Sequence, residues 1–221
     1  KNSRCSRSNW QLFWRLKLMT QSIPRYPTVE DYLDSDEPLD GRYEYADGEL
    51  FPVMPESGLN DLIANLLMVH LATKFFSFPL VRVHSCELEV EKFHQDDKQT
   101  RLPDLIVLRP EHISLTQRRL TIRKTMPSPL LVAEVVSPYP TTQHKNYQED
   151  YIRRPYQYAH RGIPEYWIID PQANLVIVRA KPFQGAYRHS SEFRQSDVVR
   201  SQLPELNNFS LTAQEILEPD V

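Results

Sequence analysis

The amino-acid sequence predicts an α/β (α+β) fold in which helices flank a mixed β-sheet and a hairpin precedes them. Three observations carry this expectation. Asp47-Gly48 lies between two strand-like segments, and Asp-Gly suits a tight hairpin because both central residues need positive φ. Residues 57–76 repeat apolar side chains with a period of about 3.6, the spacing of a helix. Residues 81–90, 102–108 and 130–136 are short runs rich in Val, Leu and Ile, the composition of strands.

In chain order, Thr28 caps a short helix over residues 28–33, with Asp31 at its third position. Residues 42–45 and 49–53 form the hairpin, and Pro52 assigns its second strand to an edge, since proline cannot donate to a ladder. Leu59, Leu62, Ile63, Leu66, Leu67, Val69, His70, Leu71 and Phe75 surround much of the long helix, which is expected to be largely buried. A polar stretch, 94–100, turns between the next two strands, and a basic loop, 118–124, precedes the third. Residues 147–160 form a second helix, interrupted at Pro155 and ended by Gly162. A strand over 166–170 turns through Pro171 and Asn174 into an antiparallel return over 175–179. A strand near Tyr187 and a short helix over 212–217 follow.

A length of 221 residues suits one well-cored domain, read as 23–221, with residues 1–22 an extension outside the core. The extension has basic residues and an apolar cluster at Trp10, Phe13 and Trp14 but not the pattern of a signal peptide, and Met19 resembles a natural start more than Lys1 does. At 40% hydrophobic and 25% charged residues the chain is globular rather than disordered. A net charge of -3 argues against a basic nucleic-acid coat protein, but not against a protein that gathers acids at a metal site and bases on one face. No apolar run approaches the ~18 residues of a membrane span. Cys5 and Cys86 are too few for a disulfide framework and read as reduced thiols of a cytoplasmic protein. With five glycines and no phosphate loop the chain is not an NTPase. Ser137 lacks the glycines of a nucleophile elbow. His70, His84, His94, His112, His144, His160 and His189 show no metal-ligand spacing.

Two segments carry the chemistry. Pro103-Asp104 opens an apolar strand, and Glu134 interrupts another, Leu130-Leu131-Val132-Ala133-Glu134-Val135-Val136. An isolated ionised carboxylate inside a sheet is costly, so such groups are paired, hydrogen-bonded or bound to metal. On spacing alone two readings stay open: a Mg2+ site of hard oxygen ligands, or a strand cap at Asp104 with Glu134 paired to an arginine.

The stretches Tyr43-Glu44-Tyr45-Ala46-Asp47-Gly48-Glu49-Leu50, Arg101-Leu102-Pro103-Asp104, Leu131-Val132-Ala133-Glu134-Val135-Val136-Ser137-Pro138 and Gly162-Ile163-Pro164-Glu165-Tyr166-Trp167 occur together and in order. Over residues 26–217 they resemble the PD-(D/E)XK restriction-endonuclease-like superfamily, in its Uma-type endonuclease branch. The resemblance implies a restriction-endonuclease-like mixed sheet, hydrolysis of DNA phosphodiester bonds, Mg2+ (or Mn2+) as cofactor and a homodimer. It assigns metal ligation to Asp104, Glu134 and the carbonyl of Val135, with Glu87 an additional acid and Glu44 and Glu49 weaker ones. The usual lysine two positions after Glu134 is replaced by Val136. In this branch the lysine resembles one displaced to a run Asp-Tyr-x-x-Lys-x-x-x-Tyr, which here reads Asp150-Tyr151-Ile152-Arg153-Arg154-Pro155-Tyr156-Gln157-Tyr158. Arg154 then occupies the lysine position, where it can hold phosphate but not accept a proton. Pro155 is expected to tilt Arg154 away, and Lys145 is the substitute base. The alternative is a nuclease-like module that binds nucleic acid or a protein without cleaving. Arg118, Arg119, Arg123 and Lys124 read either as phosphate contacts or as a solvated loop.

Overall fold

The computed structural model describes residues 25–219, so the expected extension over 1–22, with Cys5 and Met19, lies outside the described residues. Helix α1 (Val29–Asp34) begins with the capping box formed by Thr28 and Asp31. Strands β1 (Tyr43–Ala46) and β2 (Glu49–Pro52) pair antiparallel about Asp47 and Gly48, at φ 49° and 88°, as the Asp-Gly turn requires. Helix α2 (Gly58–Lys74) starts at Ser57, whose hydroxyl accepts the Asn60 N–H. It buries Ile63, Ala64, Leu67, His70 and Leu71 but leaves Leu59, Leu62 and Val69 exposed. The expectation of a largely buried helix therefore holds for one face only, the one that meets the sheet.

The expected strand over 81–90 is two strands. β3 (Val81–Val83) ends at His84, which adopts φ 51°, and the chain changes direction before β4 (Glu87–Glu89). β4 pairs with β5 (Thr100–Arg101) and, in parallel, with β7 (Thr121–Ile122), which lies inside the basic loop after the one-turn helix α3 (His112–Leu115). The main sheet holds β3, β6 (Leu105–Val107), β8 (Leu131–Val135), β9 (Glu165–Asp170), β10 (Leu175–Phe183) and β11 (Ala186–Phe193), in the order β11-β10-β9-β8-β6-β3. Only β8 and β9 run parallel in it, and a parallel pair needs a crossover. That crossover is a continuous helical run: α4 (Lys145–Gln148), a π-helical turn (Glu149–Arg153) and α5 (Arg154–His160).

Alternation along the strands assigns each residue a face. Leu105, Val107, Leu131, Ala133, Val135, Trp167 and Ile169 pack with α2 and with α6 (Ala213–Leu217). Ile106, Val132, Val136, Tyr166 and Ile168 pack on the opposite face with Tyr151 and Tyr158 of the crossover. A smaller cluster, Tyr26, Val29, Tyr32, Leu33 and Tyr45, joins α1 to the hairpin. The basic loop fastens that cluster to the body. Arg118 pairs with Asp36 at 2.7 Å, Arg123 with Asp34 at 2.6 Å, and Arg119 donates to the Tyr32 carbonyl at 2.8 Å.

The π-helical turn is the response to Pro155. Proline offers no N–H to the Tyr151 carbonyl four residues back, and the Arg154 N–H reaches five residues back to Glu149. Arg179 Nη1 donates to the Tyr151 carbonyl at 3.3 Å, and the Tyr166 hydroxyl donates to that of Asp150 at 2.9 Å. The extra residue accommodates the break inside the run, so Pro155 does not turn Arg154 away.

Candidate active site

The antiparallel register of β6 on β8 pairs Leu105 with Ala133, and one further step sets Asp104 opposite Glu134. Both share parity with Ile106 and Val132, so both face the crossover helix. Asp104 is 6% exposed and Glu134 1%. The Val135 N–H donates to Asp104 Oδ2 at 2.7 Å, and the Asp104 N–H to Glu134 Oε2 at 3.4 Å. From the helical run come Asp150, Arg154 and Tyr158, spaced four apart and therefore on one side. The Tyr158 hydroxyl donates to Glu134 Oε1 at 2.6 Å. Arg154 Nη1 stands 3.1 Å from Glu134 Oε2 and 2.5 Å from Asp150 Oδ1, and Nη2 is 3.9 Å from Glu44.

Three buried carboxylates, Glu134, Asp150 and Glu44, thus share one guanidinium, and the proton affinities of the first two register the imbalance. Burial pushes Glu134 well above the usual carboxylate range; Arg154 opposes the shift, while Asp104 and Asp150 add to it. Asp150 is pushed up to about 7 by burial, again against Arg154 and with Asp104 adding to the rise.

The free oxygen of Asp104 meets a different group. Its Oδ1 is 3.5 Å from His84 Nδ1, and the other ring nitrogen, Nε2, is 3.5 Å from Asp61. Glu56, just before the cap of α2, completes a set in which Glu56, His84 and Asp104 each offer a ligand atom within 4.8 Å of the others. The Asp104 carboxylate raises the proton affinity of His84, and burial, then the charge of Asp104, raises that of Glu56. No sequence spacing signals this set, because its members come from a helix start, a strand break and a strand start.

The remaining expected residues lie at varied distances from the pair. The Val135 carbonyl accepts the Asn60 side-chain amide at 3.1 Å, leaving its second lone pair. Lys145 is exposed and lines the same cleft, with no hydrogen bond or ion pair to Asp104 or Glu134 among the described residues. Glu87 is not brought to the pair: carried off on β4, it binds Arg119 at 3.1 Å and Thr121 Oγ1 at 2.8 Å. Glu49 is exposed on β2, whereas Glu44 is buried against Arg101. The cleft, about 440 Å3, opens between the hairpin side, with Phe51 and Pro55, and the helical run, with Lys145 and Arg153. Glu56 and Arg154 line the cleft and adjoin the carboxylate pair, linking the two.

The architecture is that of a nuclease fold. A solved structure described as a "putative nuclease belonging to DUF820 from Anabaena variabilis ATCC 29413" superimposes with a TM-score of 0.60, covering 86% of this chain and 97% of that one. At 16% identity this likeness concerns the fold alone. Residues 29–214 match the Uma2 family, described as "Putative restriction endonuclease", and the chain belongs to that family. No curated protein matches. No helix among the described residues is long and apolar enough to cross a membrane.

Proposed function

We propose that this chain hydrolyses DNA phosphodiester bonds at the Asp104–Glu134 pair with the help of a divalent cation, Mg2+ or Mn2+. The observation that supports it most is the pair itself: two carboxylates on neighbouring strands, buried, each accepting a backbone N–H of the opposite strand, and adjoining a cleft. Asp104 fits a cation, since one oxygen is free of backbone donors and faces Glu56 and His84. Glu134 and the Val135 carbonyl join such a site only by sharing atoms already engaged by Tyr158, Arg154 and Asn60. A bound cation would polarise a phosphoryl oxygen and acidify a water.

Arg154 stays protonated and holds phosphate charge. The proton acceptor is then a carboxylate, and Asp150, at about 7, matches that task near neutral pH. Lys98, Lys145 and Arg153 along the cleft suit a phosphate backbone. A homodimer, offering one cleft to each strand, and a cytoplasmic location, in keeping with the free thiol of Cys86, complete this reading.

Nicking of supercoiled plasmid with Mn2+ tests it. The wild type is expected to nick, Asp104→Ala to lose on the order of 100-fold or more, and Arg154→Lys to gain. The second reading, a binding module, is favoured by one observation: Arg154 already sits on Glu134 as its counter-ion. Cleavage by none of the three proteins would select the module; cleavage gained only in Arg154→Lys would mark a disabled enzyme.

A further inference from the structure

We infer that the chain holds a divalent transition-metal ion, of the Mn2+ class, through Glu56, His84 and the Asp104 oxygen that faces His84. The inference deepens the nuclease reading above by moving the cation from the Glu134 side of Asp104 to its histidine side. Three features of the molecule support that placement.

The first is occupancy of the other side. Both oxygens of Glu134 are taken, one by the Tyr158 hydroxyl and one by the Arg154 guanidinium. A fixed positive charge already stands at Glu134, so a cation there would face repulsion as well as competition for the same lone pairs.

The second is geometry. His84 Nδ1 and Asp104 Oδ1 are 3.5 Å apart, and ligand atoms of all three residues lie within 4.8 Å of one another. Metal–ligand bonds of about 2.1 Å at angles near those of an octahedron or tetrahedron put neighbouring ligand atoms about 3.0–3.5 Å apart. Drawing the three ligand atoms together from within 4.8 Å to that spacing closes the set. The His84 backbone is held for it: its N–H donates to the Asp104 carbonyl at 3.1 Å, and its carbonyl accepts Arg42 Nη1 at 3.1 Å. These bonds stabilise a φ of 51° that a non-glycine residue seldom adopts. The His84 Nε2 atom is shielded from solvent and makes no hydrogen bond, its nearest anion being Asp61 at 3.5 Å.

The third is ligand chemistry. Mg2+ is served by oxygen ligands and retained waters, whereas an imidazole among the ligands favours first-row transition ions over Mg2+, with Mn2+ the weakest of them and Co2+ and Zn2+ above it. Two carboxylates and one imidazole leave positions for water and a phosphate oxygen on the cleft side, where Glu56 is exposed to the cavity.

Calorimetric titration of the full metal-free chain with MnCl2, and in parallel with MgCl2, tests the site without reference to cleavage. One Mn2+ per chain is expected, at least about tenfold tighter than Mg2+. Co2+ should give visible ligand-field absorption that His84→Gln removes. His84→Gln and Glu56→Gln should each weaken Mn2+ by about tenfold or more, with metal-free melting unchanged. His84→Asp, which restores an oxygen ligand, should keep binding while shifting preference toward Mg2+; it serves as well if the Gln variant fails to fold. Mn2+ affinity untouched by His84→Gln, or lost only in Glu134→Gln, overturns the placement, as does equal affinity for Mg2+. Mn2+ bound through His84 without plasmid nicking would remove the nuclease reading and leave this site. Nicking by a chain whose Mn2+ binding ignores His84 would do the reverse.

Discussion

Replacing Arg154 by Ala is expected to destabilise the fold by about 3–5 kcal/mol at neutral pH, measured by urea unfolding in the absence of divalent cations. Arg154 Nη1 lies against both Glu134 and Asp150, and Asp104 adds a third carboxylate within their field. Removing the guanidinium leaves buried charges with no cation. The side chain is 21% exposed, so water reaching it places the loss toward the lower end of that range. Arg154→Lys keeps the charge but not the fork, and should fall between the two.

The pH dependence follows from Asp150. Its proton affinity in the folded protein, about 7, exceeds the unfolded value near 3.9, so the native state binds the extra proton between those limits. Stability from this group is fully present below the unfolded value and is lost as pH rises through about 7. Arg154 holds the affinities of Asp150 and Glu134 down; without it both rise further. The deficit of Arg154→Ala should therefore stay level in acid, where Asp150 is protonated with or without Arg154, and widen as pH rises through about 7. A deficit that stays constant as pH rises through about 7 would mean that Arg154 contributes packing rather than charge.

The parts of the site that could be read from sequence are those where one residue breaks a local pattern. Asp104 and Glu134 each interrupt apolar strand sequence, and the strand pairing sets them face to face. Asp150 and Tyr158 carry a readable signal, their spacing of four residues on either side of Arg154. In a plain α-helix Pro155 predicts that Arg154 is displaced. The π-helical turn overturns it, because partners for the freed carbonyls come from Arg179 and Tyr166, on strands remote in sequence. His84, Glu56 and Asn60 had no such signal, since long-range packing alone brings them to Asp104 and Val135. The break at His84 also separates Glu87 from the main sheet, which an unbroken strand over 81–90 concealed. The hairpin and the strands of the main sheet were legible because turn chemistry and apolar runs are local properties.

The second large effect is expected at Arg101, which is 1% exposed and joins the two walls of the cleft. Its Nε and Nη2 donate to Gln157 Oε1 at 2.9 and 2.8 Å, while Nη1 stands 3.3 Å from Glu44 and 3.0 Å from Glu149. Gln157 in turn donates to the Glu91 and Lys98 carbonyls, so its amide orientation is set by this network. Glu44 belongs to the hairpin and Glu149 to the helical run. Arg101→Met should cost about 3–5 kcal/mol, because it removes the buried charge that the two carboxylates share, leaving Glu44, among the described residues, only the longer contact to Arg154 and Glu149 only the partly exposed Arg153. Amide exchange in β1 and β2 should rise with it, as the hairpin loses its attachment to the crossover. Arg118→Met is the comparison, since its partner Asp36 and Arg118 itself are both solvent-exposed and such pairs contribute little. Converting the whole network, with Arg101→Met, Glu44→Gln and Glu149→Gln together, should recover much of the loss, because a neutral network of similar shape carries no unpaired charge. If Arg101→Met cost no more than Arg118→Met, the cleft walls would have to be held by the apolar contacts of the crossover alone.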